Sequence, residues 1–143
     1  MIVEPFKPFH MQLLIAQGVQ PSQVQQVSHV PASYASFARP AGLAMTVLDG
    51  ERVVLCGGIV PTGPQHGLLW AVLSADAGRH MLWLHRATLR FLDIEPRRRI
   101  EATVEKGFPQ GRRWLKLLGF KFEGRMPGYG DNGETHLRYA RVL

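Results

Sequence analysis

Apolar positions in this chain come in two rhythms, and the switches between them set out the elements. Leu68–Ser74 is a continuous apolar run of strand length. Arg79–Asp93 follows with helical period: Arg79, Arg86, Arg90 and Asp93 share one stripe, and Met81, Leu82, Leu84, Ala87, Leu89, Phe91 and Leu92 fill the other faces. A helix apolar over so much of its girth is expected to pack on a sheet. Ile100, Ala102 and Val104 then alternate as a second strand. Strand, helix, strand implies a parallel pair with a right-handed crossover.

The flanks add to this centre. Ile2–Phe6 reads as a short opening strand, and Phe9–Gln17 as a helix closed by Gly18. A second helix is expected from Ser22, a capping residue, to Pro31, followed by loop or broken helix over Pro31–Gly42. Leu43–Leu48 and Arg52–Ile59 are strand-like runs around Asp49-Gly50, a hairpin pair suited to a type I′ turn. Pro61–Gly67 reads as loop. Pro109 and Gly119 bracket a closing helix, with Trp114, Leu115 and Leu118 facing inward and Arg112, Arg113 and Lys116 outward. Lys121–Met126 and Thr135–Val142 form a last antiparallel hairpin around a Pro127–Gly133 loop.

Composition narrows the class without naming a partner. The 143 residues suit one domain, 1–143, and 45% apolar residues are ordinary for a globular chain. No apolar run reaches the roughly 18 residues that span a bilayer, and Glu4, Pro5, Lys7 and Pro8 interrupt any secretory pattern. The lone cysteine, Cys56, sits in a strand-like run and reads as a buried hydrophobe. The net charge of +6 suits an anionic partner, such as nucleic acid or a phosphorylated cofactor, and equally serves solubility. Six histidines show no metal-ligand spacing, and no phosphate-binding P-loop or serine elbow is present.

The order strand, two helices, three antiparallel strands, helix, strand, helix, two strands resembles the GCN5-related N-acetyltransferase (GNAT) superfamily. Trp114-Leu115-Lys116-Leu117-Leu118-Gly119-Phe120 is similar to that superfamily's closing helix. Phe122-Glu123-Gly124-Arg125-Met126, with Tyr129, Gly133 and Tyr139-Ala140-Arg141, more narrowly resembles short acetyltransferase-like proteins of tailed bacteriophages. The resemblance implies an α+β fold layered α/β/α, with a mixed central sheet around the crossover unit. It implies acetyl-CoA as cofactor and an amine as acceptor. It also implies residence in the cytoplasm of a bacterial host or in the virion, where virion proteins become possible partners.

Carried onto this sequence, the family pattern implies that Val72, Leu73 and Ser74 pair with the pantetheine arm. Backbone N–H groups of Gly78, Arg79 and His80 then meet the pyrophosphate, where a helix start favours anions. Arg112 or Arg113 is the candidate for the cofactor's 3′-phosphate, the other use of that face being solvation. The phosphate motif is altered: with Gly78 on its first glycine, Ala75 replaces Gln or Arg, and His80 replaces a small residue. Asp76 is placed to cap the helix itself.

Acyl transfer needs a base and an acid. Leu68–Ser74 carries no carboxylate, so the candidate catalytic residue is Glu101, opposite in face to Ile100, Ala102 and Val104. The alternative for Glu101 is an arginine ion pair. The family's acid tyrosine falls at Leu115 here, leaving Tyr129 and Tyr139 as substitutes without a placed role. Arg97-Arg98-Arg99 lies at the sheet end opposite the cofactor cleft.

Three functions follow: an acetyl-CoA-dependent N-acetyltransferase, a catalytically inactive relative acting as a phage structural or interaction component, and a basic nucleic-acid binder.

Overall fold

The computed structural model describes residues 1–20 and 44–143, so the expected Ser22–Pro31 helix and the Pro31–Gly42 loop lie outside the described residues. The order is β1 (Ile2–Pro5), α1 (Pro8–Gln17), β2 (Ala44–Asp49), β3 (Arg52–Gly63), β4 (His66–Leu73), a 3₁₀ turn (Ala77–His80), α2 (Met81–Asp93), β5 (Arg99–Glu105), α3 (Pro109–Leu117), β6 (Lys121–Met126) and β7 (His136–Val142). Seven strands form one mixed sheet in the order β1-β2-β3-β4-β5-β7-β6. The α+β architecture with its crossover unit is therefore present. Two compact units divide the chain, Met1–Val60 with Leu69–His80, and Pro61–Leu68 with Met81–Leu143.

The first unit is built on a hydrophobic core of Phe6, Met11, Leu14, Val19, Ala44, Val53, Cys56 and Val72, with Trp70 packed edge-on to Phe6 at 5.6 Å. Gly18 ends α1 with φ +104 and donates its N–H to the Leu14 and Ile15 carbonyls. Asp49 pairs with Arg52, so the hairpin turn is Gly50-Glu51 rather than Asp49-Gly50. Only Gly50 has positive φ (+60), which is the pattern of a type II′ turn and not the expected I′.

The second unit holds the parallel pair. Its ladder covers His66↔Arg99, Gly67↔Ile100 and Leu68↔Glu101, and β5 runs on for four residues beyond it, paired with β7. The expected Pro61–Gly67 loop is mostly strand: β3 continues through Pro61 to Gly63, and a two-residue turn leads to His66. Pro61 comes past Gly58, the last residue with a described β2 partner.

α2 also departs from expectation. It buries one stripe, Leu84, Ala87, Thr88 and Leu92, and leaves Leu82 exposed, so it is amphipathic rather than enclosed. Its first turn is drawn out as the separate 3₁₀ turn. α3 ends in a Schellman motif: Gly119 (φ +92) donates to the Lys116 carbonyl and Phe120 to that of Leu115. β5 alternates as expected, with Ile100, Ala102 and Val104 buried and Arg99, Glu101, Thr103 and Glu105 half-exposed. β7 lies between β5 and β6, and a bulge at Glu123 interrupts the β6–β7 register.

Candidate functional site

In the first unit the residues expected to meet a cofactor sit on one stretch. Val72, Leu73 and Ser74 are buried at the end of β4. Much of that backbone is already committed. The Ser74 N–H donates to the Val54 carbonyl at 2.9 Å, the Leu73 carbonyl accepts from the Gln20 N–H at 3.0 Å, and the Ala75 N–H donates to the Gly18 carbonyl at 3.0 Å. The Gln20 side-chain amide adds bonds to the Ser74 and Ala75 carbonyls. The Gly18–Gln20 segment, which has no strand pattern in sequence, thus pairs with the end of β4 through a Val19–Ser74 bridge.

The 3₁₀ turn follows. Gly78 has no positive φ, and a Cβ built on it meets nothing within 4 Å. Among the described residues neither conformation nor crowding accounts for this glycine.

Asp76 does not act as the simple helix cap expected of it. Its Oδ1 accepts the Ser74 hydroxyl at 2.7 Å, and its Oδ2 takes Arg52 Nη2 at 3.1 Å with Arg79 Nη2 at 3.6 Å. The Ser74 hydroxyl, and then Arg52, hold this carboxyl below the usual carboxylate range. The negative charge of Asp76, with that of Asp49 beside His80, balances the two guanidiniums. Arg79 Nε also donates to His80 Nε2 at 3.3 Å, and His80 Nε2 lies 3.6 Å from Asp49.

Also in this unit, His10 is buried on α1. Its Nδ1 accepts the Lys7 N–H at 3.1 Å and lies 2.8 Å from the Thr46 hydroxyl, while Nε2 is 3.5 Å from Glu4. Burial lowers its pKa against the pull of Glu4. Cys56 is fully enclosed and burial pushes its thiol up to about 12, which makes it inert as a nucleophile.

In the second unit Glu101 is held from both sides. Its Oε1 accepts from Arg99 Nε at 3.0 Å and its Oε2 from Arg138 Nη1 at 3.0 Å. Arg99 also grips Glu123, whose backbone bulge turns its side chain back across β7. Arg97 binds the buried carboxylate of Glu95 at 2.7 Å, so two of the three consecutive arginines belong to internal ion pairs. Arg113 is exposed on α3, in keeping with the outward face expected there.

The two tyrosines part company. Tyr139 is buried with its ring edge-on to Phe122 at 5.7 Å, whereas Tyr129 is exposed and its ring lies 5.2 Å from that of His136. His136 is a residue that spacing rules for metal ligands passed over. It is 6% exposed, its Nδ1 is buried with no hydrogen-bond partner, and its Nε2 stands 3.8 Å from Glu134 Oε1. The sequence does carry a signal: Glu134 and His136 are two apart in extended chain, which puts both on one side.

The fold can be set beside known structures. A GNAT-family acetyltransferase from Bacillus cereus ATCC 10987 superposes with a TM-score of 0.73 at 10% identity, covering 99% of this chain and 96% of the other. The fold is that of the GNAT acetyltransferases. Ard1 from Thermoplasma volcanium is similarly related, with a TM-score of 0.77, 15% identity and coverage of 99% and 97%. The NatB acetyltransferase complex bound to CoA and MES matches with a TM-score of 0.71, 16% identity and coverage of 100% and 99%. No family model and no curated relative matches the sequence, so the likeness is one of shape. Among the described residues no helix is long and apolar enough to cross a membrane.

Proposed function

We propose that this chain transfers an acyl group, acetyl in the simplest case, from a coenzyme A thioester to an amine. The observation that carries the reading is the short parallel ladder of three pairs on a chain whose fold matches GNAT acetyltransferases end to end. That one such structure, the NatB complex, holds CoA supports the cofactor class.

The residues available fit such a group. Gly78 lies open at the start of a helical run, which suits a phosphate approaching backbone N–H groups. Gly78, Arg79 and His80 would hold the pyrophosphate. Val72, Leu73 and Ser74 would border the pantetheine arm, the Ser74 N–H being committed to Val54 and its carbonyl to the Gln20 side chain. When bound, the cofactor supplies an activated carbonyl with a thiolate leaving group. Glu101, tied to two arginines, braces β5 in this reading.

A second reading is a non-catalytic relative of phage type, keeping the fold as an interaction component of a virion. The engagement of both Glu101 oxygens favours it, because the one candidate base from the sequence is occupied. A titration with acetyl-CoA followed by thermal unfolding separates the two. Occupancy at 100 times Kd stabilises the native state by about 2.7 kcal/mol. An unfolding midpoint unmoved at millimolar cofactor would remove the transferase and leave the interaction protein, to be sought in purified virions.

A further inference from the structure

The second unit carries all of the net charge of +6, since thirteen Lys and Arg stand against seven Asp and Glu within Pro61–Leu68 and Met81–Leu143. The two sides of its sheet share those charges unequally. On one side Arg99 and Arg138 pair with Glu101 and Glu123, two cations against two carboxylates. The other side is formed by Ile100, Ala102 and Val104 with their register partners Arg141, Tyr139 and Leu137. Both helices of the unit lie on it. The Leu92 carbonyl of α2 accepts Arg141 Nη2 at 3.1 Å, and a Cβ on Gly111 of α3 would come within 2.9 Å of Val104 Cγ2. Right-handed crossovers account for this. α2 links parallel β4 and β5, α3 links β5 to β6, and both steps go the same way across the sheet, with β5 and β6 each antiparallel to β7.

Between them α2 and α3 hold five cations, Arg86, Arg90, Arg112, Arg113 and Lys116, and one carboxylate, Asp93. Arg86, Arg90, Arg113 and Lys116 are exposed. Among the described residues, the ion pairs of this unit engage Arg97, Arg99, Arg138 and His136, so these four cations are left unpaired. Exposed Arg125 of β6 joins them, on the side of its register partner Leu137. Arg86 and Arg90 stand one turn apart, about 6 Å along the axis. The exposed apolar side chains Leu82, Ile94 and Leu117 lie at helix ends and not among the cations. A protein partner ordinarily buries an apolar or aromatic anchor at the centre of its contact. Here the centre is guanidinium, whose planar fork matches phosphate.

We propose that the helical side of the second unit binds the phosphate backbone of a nucleic-acid duplex without reading its bases. Arg86 and Arg90 from α2, with Arg113 and Lys116 from α3, take about four phosphates between them. Counterions released from the duplex drive the association, so affinity follows salt and not sequence. This surface stands apart from the acyl-transfer reading, and neither depends on the other.

The test follows the fluorescence anisotropy of a labelled DNA duplex of arbitrary sequence as the full chain is added. Four phosphate contacts give a slope of log affinity on log salt of about −3.6, or roughly a 150-fold loss between about 50 and 200 mM salt. Arg86→Gln combined with Arg90→Gln should flatten the slope to about −1.8, and a second, unrelated duplex should bind equally well. Arg138→Gln, on the paired side of the sheet, should leave the slope where it was. Each variant is checked for native circular dichroism. No binding by the wild-type chain at about 50 mM salt, or a slope unmoved by the double substitution, overturns the proposal. An equal flattening by Arg138→Gln, or a strong preference between the two duplexes, does the same. Tighter binding to poly-glutamate or to phosphatidylserine vesicles also overturns it, and would assign the surface to an acidic protein or a membrane.

Discussion

The β5–β7 pair has two ends that use charge in opposite ways. Near Arg99 and Glu101, two arginines and two glutamates satisfy one another across three strands. At the other end, Glu105 and His136 face each other with a buried ring nitrogen left unpartnered. The first arrangement engages both Glu101 oxygens with guanidiniums. The second carries an energetic penalty that the fold does not repay. A polar group in a protein interior is ordinarily satisfied. The exceptions, rather than the conspicuous charges, mark where a ligand belongs.

If that contrast is right, the largest effect comes from removing the penalty. His136→Phe eliminates the orphan nitrogen, and chemical denaturation should show a gain of about 1 kcal/mol. A destabilised variant would mean that His136 is bonded in solution and that the contrast is false. A smaller change is expected at the satisfied end. Glu101→Gln weakens two partly exposed ion pairs and should cost no more than about 1 kcal/mol in the same assay. A thousandfold loss of transfer in that variant with unchanged stability would return Glu101 to the role of base.

The smallest effect is the acid response. Burial, opposed by Glu4 and aided by Lys7, holds folded His10 below its ordinary value of 6.5. The stability it contributes is complete above 6.5 and is lost as pH falls through its lower folded value, because the unfolded chain protonates first. Glu123, held down by Arg99, and Asp76, held down by Ser74, lose their contributions only below the ordinary carboxylate range near about 4. Melting temperatures recorded from pH 8 to 3 should therefore fall in two steps. His10→Gln should flatten the upper step and leave the lower one. An upper step unchanged in that variant assigns it to another group.

Much of the fold is legible in the residues. The strict alternation of Ile100, Ala102 and Val104 gives β5 its two faces, and Pro109 with Gly119 brackets α3 to within two residues. The failures have physical causes. Pro61 and Gly63 read as loop residues because both types are depleted in strands, yet β3 continues through them. The apolar face of α2 is overcounted, since Leu82 is hydrophobic and yet exposed at 66%.

For the site, sequence and family pattern direct attention to charged residues such as Glu101, but pairing decides whether a charge is available. Arg138, which ties up Glu101, is 37 residues away along the chain and becomes its neighbour only through the β5–β7 register. His136 is missed for the converse reason. Its significance lies in a bond it does not make, which no spacing rule records.

The bulge at Glu123 has a bearing on solubility. β6 is the outermost strand of its side of the sheet, and an open strand invites a second chain to add on. The kink at Glu123, with Lys121 and Arg125 exposed to either side, spoils the straight row of amides that such an addition needs. Deleting Glu123 would straighten this border, and the chain would then be expected to self-associate edge to edge.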